Sequence, residues 1–101
     1  MEKRLKLQAV LEEILGSPNV YFQPPASVKM QYPAIVYKRK SINITHANDS
    51  IYRQLPEYEV ILIDYDPDSV FVDKLLQLRY CRYDRHYAAD NLNHDVFSIN
   101  Y

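Results

Sequence analysis

Two runs of strand-forming residues, separated by one short polar turn, set the strongest limit on what this chain can become. The first, Ala34 to Lys40, opens after Pro33 and is rich in Ile, Val and Tyr, and its alternation carries on through Ile42, Ile44 and His46. Ala47-Asn48-Asp49-Ser50 is a cluster of turn-forming residues, and from Tyr52 a second strand resumes, strongest over Tyr58 to Tyr65. The two strands and the turn read as a long hairpin. Val60-Ile61-Leu62-Ile63 is apolar on both faces of a strand, which predicts a central, covered position in a sheet. The outer half, roughly residues 41–57, is weaker in apolar content and is expected to project beyond the core.

The remaining chain supplies elements to pack against that hairpin. Residues 2–15 read as an amphipathic helix with Leu7, Val10, Leu11 and Ile14 on one face, ended by Gly16 with Pro18 beyond it. Val20 to Gln23 reads as a short strand stopped by Pro24-Pro25, which confines it to an edge. Asp64-Tyr65-Asp66-Pro67-Asp68-Ser69 leads into a second helix running to about Leu78, with Asp68 or Ser69 as its cap. Tyr80 to Tyr87 reads as a strand, Ala88 to His94 as a turn rich in Asn and Asp, and Val96 to Tyr101 as a last strand with Phe97, Ile99 and Tyr101 on one face. The order is α-β-β-β-α-β-β. Hairpin-length turns predict a mainly antiparallel sheet with the two helices packed against it, a single α+β domain over residues 1–101.

Composition narrows the chemistry. There is one glycine, Gly16, so phosphate-cradling loops are excluded, since those motifs need several. A formal net charge of −1 gives no global field to draw in nucleic acid or an anionic membrane. No apolar stretch approaches the length of a membrane span, and the charged start of the chain does not read as a signal peptide. The single cysteine, Cys81, rules out an internal disulfide framework and suits a reducing compartment. Ten tyrosines and no tryptophan are unusual. The strand preference of aromatic rings accounts for part of them, and protein interfaces use the same large ring with a polar tip.

The densest polar stretch, Cys81 to Tyr87 followed by Asp90, Asn91, Asn93, His94 and Asp95, invites two chemical readings. A Cys/His nucleophile pair and a metal site both lack a recognisable spacing. Cys81 and His86 differ by an odd number and fall on opposite faces of a regular strand. His86 and His94 flank the turn and can meet across a hairpin, but two ligands do not close a zinc site. Asp64, Asp66 and Asp68 alternate like the opening of a calcium loop, yet Pro67 intervenes and the glycine and closing glutamate are missing. Lys38-Arg39-Lys40 is a basic run without the interleaved aromatic residues of a single-strand binding platform. The reading is therefore no enzyme, no cofactor and no metal, with a solvated hairpin as the plain account of the polar stretch.

The phrases Val20-Tyr21-Phe22-Gln23-Pro24-Pro25, Tyr32-Pro33-Ala34-Ile35-Val36-Tyr37, Asp84-Arg85-His86-Tyr87 and Asp90-Asn91-Leu92-Asn93-His94-Asp95-Val96-Phe97 carry a resemblance. With the element order, they resemble the small tail-terminator and tail-completion proteins of long-tailed bacteriophages, over nearly the whole chain. The resemblance implies a homo-oligomeric ring of six copies that caps the tail tube and faces the head connector. Its partners are then the tail tube protein and the connector or neck proteins, with DNA passing through the lumen unrecognised and no membrane involved. It implies no catalytic residue, and a place in the virion after assembly in the host cytoplasm. The chain is short for a tail terminator, so a neck or head-closure role in the same gene cluster is the alternative, with a small nucleic-acid-binding module as a third reading. The candidate interface residues are Ile42, Ile44, Ile51, Tyr52 and Leu55 on the hairpin, too apolar to be left in water, and Asp90, Asn91 and Asn93 in the polar turn.

Overall fold

A computed structural model describes residues 2–25, 27–47, 50–78 and 81–100, with residues 2–3, 41–47 and 50–56 given by their backbone alone. Among these, the chain forms two helices and one five-stranded sheet. The elements run α1 (Glu2–Leu15), β1 (Val20–Phe22), β2 (Ala34–Ala47), β3 (Ser50–Asp64), α2 (Val70–Leu76), β4 (Cys81–Ala89) and β5 (Leu92–Asn100). The expected order and α+β class are those observed. The sheet order is β1-β2-β3-β5-β4, with β3 in the middle, as its double-faced apolar run requires.

Every strand pair is antiparallel except β1–β2, which is parallel with Val20 opposite Ile35 and Phe22 opposite Tyr37. A parallel neighbour needs a crossover connection, and the segment after Phe22 supplies one, turning at Gln23 with φ of 45° and returning through Tyr32 and Pro33. β1 is an edge strand, and its three residues end before the proline pair.

Alternation along the strands sorts the residues between two faces. One face carries Ile35, Tyr37, Tyr58, Val60, Leu62, Phe97 and Ile99, all buried, and both helices pack on it through Leu7, Leu11, Leu15 and Leu75. The fully buried stripe of α1 is thus Leu7, Leu11 and Leu15, while Val10 and Ile14 sit on its flank, partly buried, with Ile14 packed against the core. Gly16, at φ 74°, closes α1 by donating its N–H to the Glu12 carbonyl at 2.9 Å. Gln8 fastens α1 to the sheet by donating to the Val20 carbonyl at 3.0 Å and accepting from the Tyr37 hydroxyl. Of the two expected caps of α2, Ser69 serves, its Oγ accepting from the Phe71 N–H at 3.3 Å.

Two expectations are corrected at the β4–β5 hairpin. The turn expected over Ala88 to His94 is only Asp90-Asn91, with φ of 54° and 63°, and both strands run up to it. Two consecutive left-handed residues make the tight hairpin turn whose twist matches that of the strands. Cys81 and His86 do not fall on opposite faces. A bulge between Tyr83 and Arg85 shifts the register, so Cys81 stands opposite Ile99 and His86 opposite Asp95, two positions of β5 that share a face. Tyr80 and Tyr101, assigned to strands from the sequence, and Asn48 and Asp49 of the central turn lie outside the described residues.

Candidate assembly surface

The central hairpin is longer than the sheet that supports it. β5 pairs with β3 from Glu57 to Asp64, and β1 pairs with β2 only at Ile35, Val36 and Tyr37. Beyond those limits, among the described residues, β2 and β3 pair with each other alone, from Ile42 opposite Pro56 through Ile44–Gln54 to Ala47–Ser50. At a strand rise of ~3.3 Å per residue this two-stranded ribbon extends about 20 Å past the sheet. The molecule measures 50 Å along its longest axis against 24 and 23 Å across, the shape such an extension produces.

The register divides the five hairpin residues singled out from the sequence. β3 alternates without interruption from Pro56 through Tyr58, Val60 and Leu62, so Pro56 and its partner Ile42 continue the helix-covered face. Ile44 and Ile51, the latter opposite His46, fall on that same face. Leu55, opposite Asn43, falls on the other. Tyr52 is the position skipped at the second register shift, between Thr45 and His46. The apolar pattern of the core thus continues into the ribbon on one side.

The face of the sheet away from the helices carries rows of ion pairs. Lys38 reaches Glu59 at 3.5 Å and Lys40 reaches Glu57 at 4.0 Å from the β2 side, while Arg82 reaches Glu57 at 3.0 Å and Arg85 reaches Glu59 at 4.0 Å from the β4 side. The glutamate side chains are only 12 and 17% exposed and the four cations 49 to 60%, so each sheltered carboxylate is flanked by cations in contact with water. Two residues of the basic run Lys38-Arg39-Lys40 are therefore engaged within the chain. This surface was missed in the sequence. Its signal is Lys38-x-Lys40 placed against Glu57-x-Glu59 by the hairpin register. Next to it runs an apolar row, Val36, Ile61 and Val96, that ends on Arg85.

At the end of the sheet opposite the ribbon, the β4–β5 turn sits in a group of rings. Tyr87 stacks on His94 at 4.6 Å, Tyr32 meets Tyr65 edge-on at 5.9 Å, and Asn93 donates from Nδ2 to the Tyr65 carbonyl at 3.1 Å. Asn93 also pairs through Oδ1 with His86 Nε2 at 3.2 Å. Asp90 and Asn91 form the exposed tip. The structure therefore brings Asn93 together with His86, but places His86 and His94 on opposite faces, so the two imidazoles do not meet across the hairpin.

Cys81 and His86 share a face, yet four residues of β5 separate the positions they oppose, about 13 Å at the usual strand rise. Burial pushes the Cys81 thiol up to about 11 against the pull of the Arg82 guanidinium, so it is a protonated thiol at neutral pH. The nearby Tyr83 hydroxyl donates to the buried Asp95 carboxylate at 2.8 Å, and desolvation, with that bond and charge, pushes it up to about 12. Asp64 and Asp66 open two successive Asx turns, Asp64 Oδ1 accepting from the Asp66 N–H at 3.3 Å and Asp66 Oδ1 from the Asp68 N–H at 2.9 Å. Among the described residues no three His, Cys, Asp or Glu side chains come together to hold a metal ion, and no helix is long and apolar enough to cross a membrane.

Between the helices lies one more surface that the sequence reading did not single out. Val10 and Ile14 of α1 and Leu78 after α2 line an open groove of about 510 Å³, with Glu13, Lys74 and Gln77 along its rim. Comparison with models of protein families, with curated proteins and with solved structures yields no match to this chain.

Proposed function

We propose that this chain is a structural subunit of a bacteriophage virion, a tail terminator whose copies form a ring, of six, that caps the tail tube and joins it to the head connector. The observation that carries the reading is the ribbon of β2 and β3, which leaves the sheet with both of its edges unpaired by β1 and β5. An isolated two-stranded hairpin is marginal in water and gains stability from a third strand or a packed surface. A ring subunit supplies both when neighbouring copies meet. The ion-paired sheet face and a net charge of −1 suit a ring through which DNA passes without being held. The phrases quoted from the sequence supply the link to phage tails, and they imply assembly in the host cytoplasm and residence in the virion.

Purified protein tests this by negative-stain microscopy and native mass measurement, alone and mixed with tail tubes. The reading expects closed rings and tubes capped at one end. A protein that stays monomeric at all concentrations and leaves tube ends bare overturns it.

A further inference from the structure

Register lays one row of side chains straight across the sheet face that the helices leave open. Lys38 on β2 stands opposite Glu59 on β3, Glu59 opposite Ser98 on β5, and Ser98 opposite Arg82 on β4. Lys40 and Arg85 flank that row, Lys40 reaching Glu57 and Arg85 reaching Glu59. The cations therefore form two rails, one on β2 and one on β4, with the glutamates between them. Three strand spacings of ~4.8 Å set the rails about 14 Å apart. Depth separates the charges as well. The glutamates are sheltered and the four cations reach water, so an approaching molecule meets positive charge first. Arg39 is exposed at the rim of a shallow cleft over Val36 and Ile61 and makes no ion pair among the described residues. With Asp84 beside Arg85, the face carries five cations and three carboxylates, in a chain whose net charge is −1.

We propose that this face lies against duplex DNA and touches it through phosphates alone. The inference rests on the assembly reading for its ligand, the DNA that passes through the ring, and names the face of each copy that the DNA meets. Lysine carries three donors and arginine five, so each cation can hold its glutamate and still offer N–H groups to a phosphate. A duplex presents phosphate rails on both sides of grooves about 6 and 12 Å wide, and so can engage β2 and β4 together. An extended peptide or a single strand has one line of charge and follows one rail only. Between the rails stand Glu57, Glu59, Ser98 and Asn100, with no aromatic ring among the described residues there, so unpaired bases find nothing to stack on. The paired glutamates keep the net attraction low, which lets DNA slide rather than lodge.

Fluorescence anisotropy of a short labelled duplex of mixed sequence, titrated with the purified chain over a range of salt, tests this. Binding should weaken with salt along a log–log slope of about −4, near −0.9 for each of four phosphate contacts. Lys38→Gln with Lys40→Gln leaves Glu57 its Arg82 and Glu59 its Arg85, so the fold is kept, as far-ultraviolet circular dichroism checks. This chain should bind at least about fivefold more weakly at low salt, with a slope shallower by about 2. Lys6→Gln with Lys74→Gln removes the same charge from the two helices and should stay within about twofold of the wild type. No binding at low salt, an equal loss in the helix control, or tighter binding of a single strand or of polyglutamate overturns the inference. Light scattering on the same samples keeps the two claims apart. Rings that ignore the duplex overturn this face and leave the assembly reading standing. A monomer that binds the duplex with the expected slope keeps the face and overturns the ring.

Discussion

Asp90 and Asn91 show how a single pair of residues sets the end of a sheet. With one glycine in the chain, the left-handed positions of the β4–β5 turn fall to the two residue types that tolerate them best after glycine. Asn91→Val should cost about 1–2 kcal/mol, since a β-branched residue pays the full left-handed penalty there. Asn91→Gly should be neutral or stabilising. Chemical denaturation of both variants checks this, and equal stability of the Val variant would refute the turn geometry. The chemistry of the turn was legible in the sequence, but its length was not. Ala88 and Ala89 look like loop because they lie on β4, an edge strand whose residues from Arg82 onward face water, and Asn93 and His94 because polar residues on a partly buried stretch of β5 give no apolar alternation. Cys81 gives a second test at this scale. The fold favours its protonated form, so that contribution to stability is whole below pH 9, the ordinary thiol value, and is lost as pH rises through about 11. Alkylation by iodoacetamide should be slow at pH 8 relative to the unfolded chain and accelerate above pH 10. Equal rates in both states at pH 8 would show an unperturbed thiol.

Among the elements, those with one strongly periodic face were the easiest to read. α1 has the bounds expected from its leucines and Gly16, and β3 the central place expected from Val60 to Ile63. Two features escaped. The parallel pairing of β1 cannot be deduced from a three-residue strand, because direction depends on how the proline-rich segment after Phe22 crosses back. The bulge in β4 is invisible because no residue type marks it, and it reversed the face of His86 relative to Cys81. The central hairpin was legible as a projection because its apolar content thins beyond Lys40. Removing residues 43–53 takes away strand that pairs with nothing but itself, so the deleted chain should stay folded. Its melting temperature should fall within a few degrees of the parent, and its mass by light scattering should be that of a monomer. A deleted chain that retains the parental oligomer mass would place the interface elsewhere.

For the whole molecule, the division of labour between the two sheet faces is what the sequence concealed. The helix-covered face is a conventional apolar core, and its members follow from alternation. The other face is held by exposed ion pairs worth roughly 0.2–1 kcal/mol each, and their partners become visible only once the register is known. If the chain assembles as proposed, its stability resides in the sheet and helices and the ribbon is the part offered to a neighbour. Hydrogen exchange measures that arrangement directly, on protein diluted to the monomer and on the assembled form. The ribbon of the monomer has no third strand, so its amides should open at low free-energy cost. Amides of 42–47 and 50–55 should exchange at least tenfold more slowly in the assembly than in the monomer, while those of Val60 to Ile63 stay protected in both. Equal protection of the ribbon in the two states would contradict its role as the assembling element.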